Sequence, residues 1–160
     1  LPEIILPPKE HARLVGIDGK GKMSKSLNNG IYLGDSEKDI KDKVMKMYTD
    51  PNHIRVEDPG QVEGNVVFKY LDIFDPRTDE VAELKEHYSR GGLGDVKLKK
   101  RLNEVMQEFL RPIRERREEF AKDKAEVYNM LKAGSEKAES VAAATLDEVK
   151  DAMGINYFKK

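Results

Sequence analysis

The sequence predicts a mainly α protein, a helical bundle preceded by the strand-and-loop tail of another domain. Apolar residues recur at helical spacing from Ser36 to Met153. Chain-breaking residues crowd the first 34 positions instead, with three of the seven prolines (Pro2, Pro7, Pro8) and five of the twelve glycines (Gly16, Gly19, Gly21, Gly30, Gly34). No motif repeats at a fixed period, which favours a bundle over a solenoid. With 160 residues there is room for one ordinary domain, or a small one with a piece of a second. A hydrophobic share of 38% beside a charged share of 37% supports a core under an ionic surface and argues against disorder throughout. The net charge of -1 excludes a globally basic nucleic-acid coat while leaving room for local basic patches. No apolar run is long enough for a transmembrane helix and no signal peptide is visible. The lack of cysteine rules out disulfides and thiolate metal sites and suits a reducing compartment, so a cytoplasmic location is expected. The chain opens on Leu1 and not Met, and Ile4-Ile5-Leu6 reads as a strand without a partner, so a fragment of a longer protein is expected.

The elements follow in order. Ser36 with Asp39 three residues later forms a capping-box pattern, and Ile40, Val44, Met47 and Tyr48 fall on one face of the helix it opens. Residues 50 to 64, with Asp50-Pro51, Asp58-Pro59-Gly60 and Gly64, make a long turn-rich connection. A short helix is expected over 65 to 74, and another from Thr78 to Arg90 that stops at Gly91-Gly92. The longest periodic run starts at Asp95 and carries Leu98, Leu102, Val105, Met106, Phe109, Leu110 and Ile113. Pro112 lacks a donor and crowds the carbonyl four residues back, so a kink or break is expected around 108 to 112. Two more helices are expected, 123 to 132 closed by Gly134 and 136 to 153 closed by Gly154. The second would bury Ala138, Val141, Ala142, Leu146, Val149 and Met153.

Chemistry concentrates in Asp18-Gly19-Lys20-Gly21-Lys22-Met23-Ser24-Lys25-Ser26. Glycines let the backbone approach a ligand closely, Lys22 and Lys25 are point charges, and the Ser24 and Ser26 hydroxyls donate, a combination that fits polyphosphate. A solvated surface loop is the plain alternative for such a composition. Lys22-Met23-Ser24-Lys25-Ser26, however, reproduces the KMSKS signature of class I aminoacyl-tRNA synthetases letter for letter, a chance match expected about once in 10,000 chains of this length. Further likeness runs through Leu6-Pro7-Pro8, Asp18-Gly19, Thr49-Asp50-Pro51, Asp58-Pro59-Gly60, Gly94-Asp95, Arg111-Pro112-Ile113-Arg114-Glu115-Arg116 and Gly134-Ser135-Glu136-Lys137-Ala138. Together these resemble the C-terminal half of the bacterial tryptophanyl-tRNA synthetase family, with the tyrosyl branch as the nearest alternative.

The resemblance implies that residues 1–34 are the edge of a nucleotide-binding α/β, Rossmann-like catalytic domain bearing the KMSKS loop. It implies that residues 35–160 are a helical anticodon-binding domain. The implied activity is a two-step ligation: the tryptophan carboxylate attacks the α-phosphate of ATP, releasing pyrophosphate, and the aminoacyl group then passes to tRNA(Trp). Lys22 and Lys25 would be the catalytic cations facing pyrophosphate, Ser24 and Ser26 supporting donors, and Met23 an apolar anchor beside the nucleotide. The loop would close on ATP and reopen. Mg²⁺ would arrive with ATP on phosphate oxygens, and a homodimer is implied for the whole enzyme.

One departure is the missing HIGH-like signature. His11-Ala12-Arg13-Leu14, His53-Ile54-Arg55-Val56 and His87-Tyr88-Ser89-Arg90 lack its glycine and second histidine, so the segment alone is expected to make no aminoacyl-AMP. The histidines read as structural or surface residues, without metal-ligand spacing. Between 95 and 117, Lys97, Lys99, Lys100, Arg101, Arg111, Arg114, Arg116 and Arg117 outnumber the acidic residues Asp95, Glu104, Glu108 and Glu115. Of these, Lys97, Lys100, Arg101, Arg114 and Arg117 are candidates for tRNA phosphate contacts, and a solvated helix face with its own ion pairs is the alternative. Against the ligase stands a free-standing helical tRNA-binding or protein-interaction module carrying a non-catalytic loop.

Overall fold

The computed structural model describes residues 4–8 and 12–157. It divides into two compact units, Leu1–Arg114 and Glu115–Lys160, the division falling inside a long helix. Five helices are present among the described residues: α1 (Glu37–Met45), α2 (Val66–Phe74), α3 (Thr78–Arg90), α4 (Asp95–Ala121) and α5 (Lys124–Ala152). Pro2 and His11 lie outside the described residues.

In the first unit, α1 and α2 begin where a side chain satisfies one of the first free N–H groups, whereas α3 starts at Arg77 without a side-chain cap. At α1 the expected box is complete: Ser36 Oγ accepts the Asp39 N–H at 3.1 Å, and the Asp39 carboxylate accepts the Ser36 N–H at 3.2 Å. At α2 the Asn65 side-chain oxygen accepts the Val67 N–H at 3.0 Å. α3 ends at Gly91 and Gly92, both at positive φ; a Cβ on Gly91 would fall 2.3 Å from the Glu57 carbonyl oxygen. Glycine is required there by both conformation and space.

The core of the first unit is one cluster. α1 contributes Ile40 and Val44, and Met47 follows it; α2 is buried at Val66, Val67, Phe68, Tyr70 and Leu71. Val81 and Tyr88 come from α3, and Leu98, Leu102, Val105, Met106 and Leu110 from α4. Val15, Ile17, Met23 and Ile31 pack against the same cluster, which places the lysine-rich loop on the helical core. Buried apolar area of this kind contributes about 25 cal/mol per Å² and holds the loop's base in place.

Several expectations need correction. Ile4, Ile5 and Leu6 form no strand and stand exposed, because a single extended segment without a ladder partner satisfies none of its backbone groups internally. Among the described residues the only β pairing is an isolated antiparallel bridge between Val15 and Lys22. α4 continues through Pro112 with no break, since only the Glu108 carbonyl loses its donor while the flanking turns remain bonded. α5 likewise runs through Gly134; a helical glycine is disfavoured by about 1 kcal/mol relative to alanine, too little to split a helix rich in good formers. The apolar face expected to be buried on α5 is open, with Val141 63% and Met153 65% exposed. Within the second unit, Asp123 caps α5 by accepting the Glu126 N–H at 3.0 Å, and Gly154 at φ +68 follows its end.

Candidate functional site

The lysine-rich loop is built as a tight hairpin. The Gly16 N–H donates to the Gly21 carbonyl at 2.7 Å, Met23 N–H to Leu14 at 2.9 Å, and Gly19 N–H to Gly16 at 3.0 Å. Gly19 turns the chain at φ +70, with the Tyr48 ring 3.0 Å from where a Cβ would lie. Two tyrosines tie the hairpin to the first unit: Tyr70 of α2 donates its hydroxyl to the Val15 carbonyl at 2.6 Å, and the N–H of Tyr48, in the loop after α1, donates to Ile17 at 2.8 Å. Burial pushes the Tyr70 phenol well above its ordinary range, so it stays a neutral donor.

Beyond the hairpin, residues 25–28 turn, closed by the Asn28 N–H on the Lys25 carbonyl at 3.1 Å with Asn28 at φ 49. This folding brings the motif together. Lys22 and Lys25 are exposed and make no ion pair among the described residues, so both charges are available to an anion. The Ser24 and Ser26 hydroxyls meet at 2.9 Å. Met23 is half-buried against the core cluster rather than free, and a Cβ on Gly30 would lie 2.6 Å from its Cγ. Unpaired cations beside paired hydroxyls on a fixed base can receive the oxygens of a polyphosphate without first giving up protein partners.

Asn29 was not singled out from the sequence. It is buried, 3% exposed, and its side chain accepts the Ser24 N–H at 2.8 Å. Asn28-Asn29-Gly30 reads locally as a turn, which conceals the role.

The basic stretch of α4 divides. Lys97 and Lys100 are exposed and unpaired among the described residues, but they share a depression with Glu80, Glu83 and Glu104. Arg101 is committed inward: its Nε donates to Asp75 at 2.8 Å and an amino group to Glu80 at 2.6 Å. Arg114 pairs with Glu37 at 3.2 Å, and Arg117, in the second unit, is exposed. Asp75 is fully enclosed; burial alone would raise its pKa, but the Arg101 and Arg77 hydrogen bonds hold its carboxyl below the usual range. His53 sits buried, its Nδ1 3.3 Å from Asp95, which also accepts the Tyr88 hydroxyl and the Thr49 hydroxyl, each at 2.8 Å. No cluster of three or more His, Asp or Glu suited to a metal occurs among the described residues.

A family model described as tRNA synthetases class I (W and Y) matches residues 1–111. The chain belongs to this family. Among its relatives, a tryptophan–tRNA ligase of Streptococcus agalactiae is 62% identical over 99% of the chain, and one of Streptococcus pneumoniae is 62% identical over 98%. A crystal structure of a tryptophanyl-tRNA synthetase from Campylobacter jejuni, complexed with ADP and tryptophan, superposes with a TM-score of 0.74 at 31% identity, covering 89% of this chain and 44% of that one. The chain spans about half the length, 47%, of the curated relatives it matches. The expected likeness to the bacterial tryptophan branch of this synthetase family is thus borne out, as is the mainly helical architecture. Among the described residues no helix is long and apolar enough to cross a membrane.

Proposed function

We propose that this chain supplies the pyrophosphate-side loop and the tRNA-binding helices of a tryptophan–tRNA ligase. The supporting observation is the loop itself: Lys22, on a hairpin bonded to Tyr70 and Tyr48, and Lys25, on the turn that follows it, stand exposed and without an ion pair among the described residues. In the activation step the tryptophan carboxylate attacks the α-phosphate of ATP, the bond to the bridging oxygen breaks, and pyrophosphate leaves. Negative charge grows on that leaving group. Cations already aimed at it stabilise the transition state more than bound ATP. Lys22 and Lys25 do this; in the Ser24–Ser26 pair one hydroxyl proton holds the pair together and the other donates to the same oxygens. Mg²⁺ would neutralise phosphate charge, carried mainly by ATP oxygens. The second step, transfer to the 3′-terminal ribose of tRNA(Trp), uses the helices for docking. Lys97 and Lys100 carry that contact on α4, because Arg101 and Arg114 already hold internal partners.

ATP–pyrophosphate exchange in the full-length ligase tests the reading. Lys25→Ala is expected to lower the exchange kcat by about 10 to 1,000-fold with the KM for tryptophan nearly unchanged. Unchanged exchange would remove the loop from catalysis.

A further inference from the structure

We infer that Asn29 is the positioning residue that sets the geometry of the lysine–serine loop for departure of pyrophosphate, an inference that rests on the function proposed above. Four hydrogen bonds meet on this one buried residue. Its Oδ1 accepts the Ser24 N–H at 2.8 Å; its Nδ2 donates to Asp18 Oδ1 at 3.2 Å and to the Lys22 carbonyl at 3.4 Å. Its own carbonyl accepts the Ile17 N–H at 2.8 Å. The bonds reach both arms of the hairpin and two residues of the motif.

The seat is shaped for this amide. A Cβ on Gly16 would fall 2.2 Å from Asn29 Nδ2, so a side chain at 16 would push the amide out of its bonded position. Across the loop, Gly30 leaves room for Met23, whose Cγ would lie 2.6 Å from a Cβ there. Met23 is thereby held between two residues, Lys22 and Ser24, whose backbones are both bonded to the Asn29 side chain. Since the backbone at 22 and 24 determines where the Lys22 ammonium and Ser24 hydroxyl can reach, Asn29 acts on phosphate only through them. The residue itself is buried, 3% exposed. Misplacing reacting groups by about 1 Å lowers rates by about 100-fold, which is the scale expected here.

The experiment uses the full-length ligase and three variants: Asn29→Ala, Asn29→Asp, and Asn29→Asp combined with Asp18→Asn. Asn29→Ala removes every side-chain bond and is expected to lower the exchange kcat about 10 to 100-fold, with the KM for tryptophan within about twofold of wild type. Asn29→Asp retains an acceptor for Ser24 but sets a second carboxylate against Asp18, and is expected to be comparably slow. Adding Asp18→Asn restores the side-chain pair with reversed polarity and the original net charge but leaves an acceptor opposite the Lys22 carbonyl, and is expected to recover about threefold of the loss. A purely structural role would lower thermal stability without separating kcat from KM and without this rescue. Wild-type kcat in Asn29→Ala, or a double variant as slow as Asn29→Asp, overturns the inference. Should Asn29→Ala fail to fold, the comparison of Asn29→Asp with the double variant still decides. Hydrogen exchange over residues 18–28 is expected to quicken about tenfold in Asn29→Asp and to slow again in the double variant; no change there also overturns it. Lys25→Ala run in parallel separates the two claims: unchanged turnover in that variant sinks the lysine reading, while hydrogen exchange still judges Asn29.

Discussion

Asp75→Asn probes the contact that fixes α4 to the turn after α2. Asp75 caps α2, its N–H donating to the Leu71 carbonyl at 2.9 Å, and its side chain is fully enclosed. One carboxylate oxygen accepts the Arg77 N–H at 3.1 Å and Nε at 2.9 Å; the other accepts Arg101 Nε at 2.8 Å. Asparagine keeps the volume and one acceptor but turns an NH₂ donor toward a guanidinium. Removing one partner of a buried ion pair destabilises by about 3 to 5 kcal/mol. Arg101 is 20% exposed and keeps Glu80 at 2.6 Å, which places the expected loss near the lower end, about 3 kcal/mol. The sign of the pH dependence follows from the depressed pKa. The contribution is present above the unfolded carboxylate value, about 3.9, and is lost as pH falls through the lower folded value. Urea unfolding followed by circular dichroism should therefore show a wild-type advantage at neutral pH that shrinks steadily below about pH 4. A difference under about 1 kcal/mol at neutral pH, or one that persists unchanged in acid, would refute a buried, ionised Asp75 as the tie.

Two further outcomes are expected. Gly134→Ala should stabilise the chain by about 0.5 to 1 kcal/mol in urea unfolding, because nothing lies within 4 Å of the new methyl and the residue sits inside α5. In the full-length ligase, Lys97→Gln with Lys100→Gln should lower the salt slope of tRNA binding by about 0.7 to 0.9 per lysine and leave helicity intact, whereas adding Arg101→Gln should destabilise the protein by breaking its bond to Asp75. Fluorescence titration at several salt concentrations, with circular dichroism alongside, reads both.

What was legible in the sequence was local. Ser36 and Asp39 are three residues apart, and their box forms as the pattern says; Gly91-Gly92 ends α3 for the same reason. The five letters from Lys22 to Ser26 carry their charged and hydroxyl groups side by side in the chain itself, so the loop proposed above could be picked out without any distant contact. What escaped depends on distance. Arg101 reads as an exposed cation until Asp75 and Glu80, 26 and 21 residues away, close on it. Asn29 acquires its meaning from Asp18, eleven residues earlier, and from the space left by Gly16. For α5, periodicity identified an apolar face but carries no information on whether a surface covers it. Of the kink or break expected around Pro112, the break does not occur, because one lost hydrogen bond weighs little against the helical turns on either side.

The central claim is that Lys25 acts on pyrophosphate as it leaves, and single-turnover kinetics of the full-length ligase in both directions test it most directly. A group that stabilises the transition state alone must speed adenylate formation and its reversal from adenylate and pyrophosphate equally. Lys25→Ala is expected to slow both by one common factor, about 10 to 1,000-fold. Unchanged chemistry in both directions, with only weaker binding of ATP or pyrophosphate, would contradict the account and leave the loop as a ground-state phosphate grip.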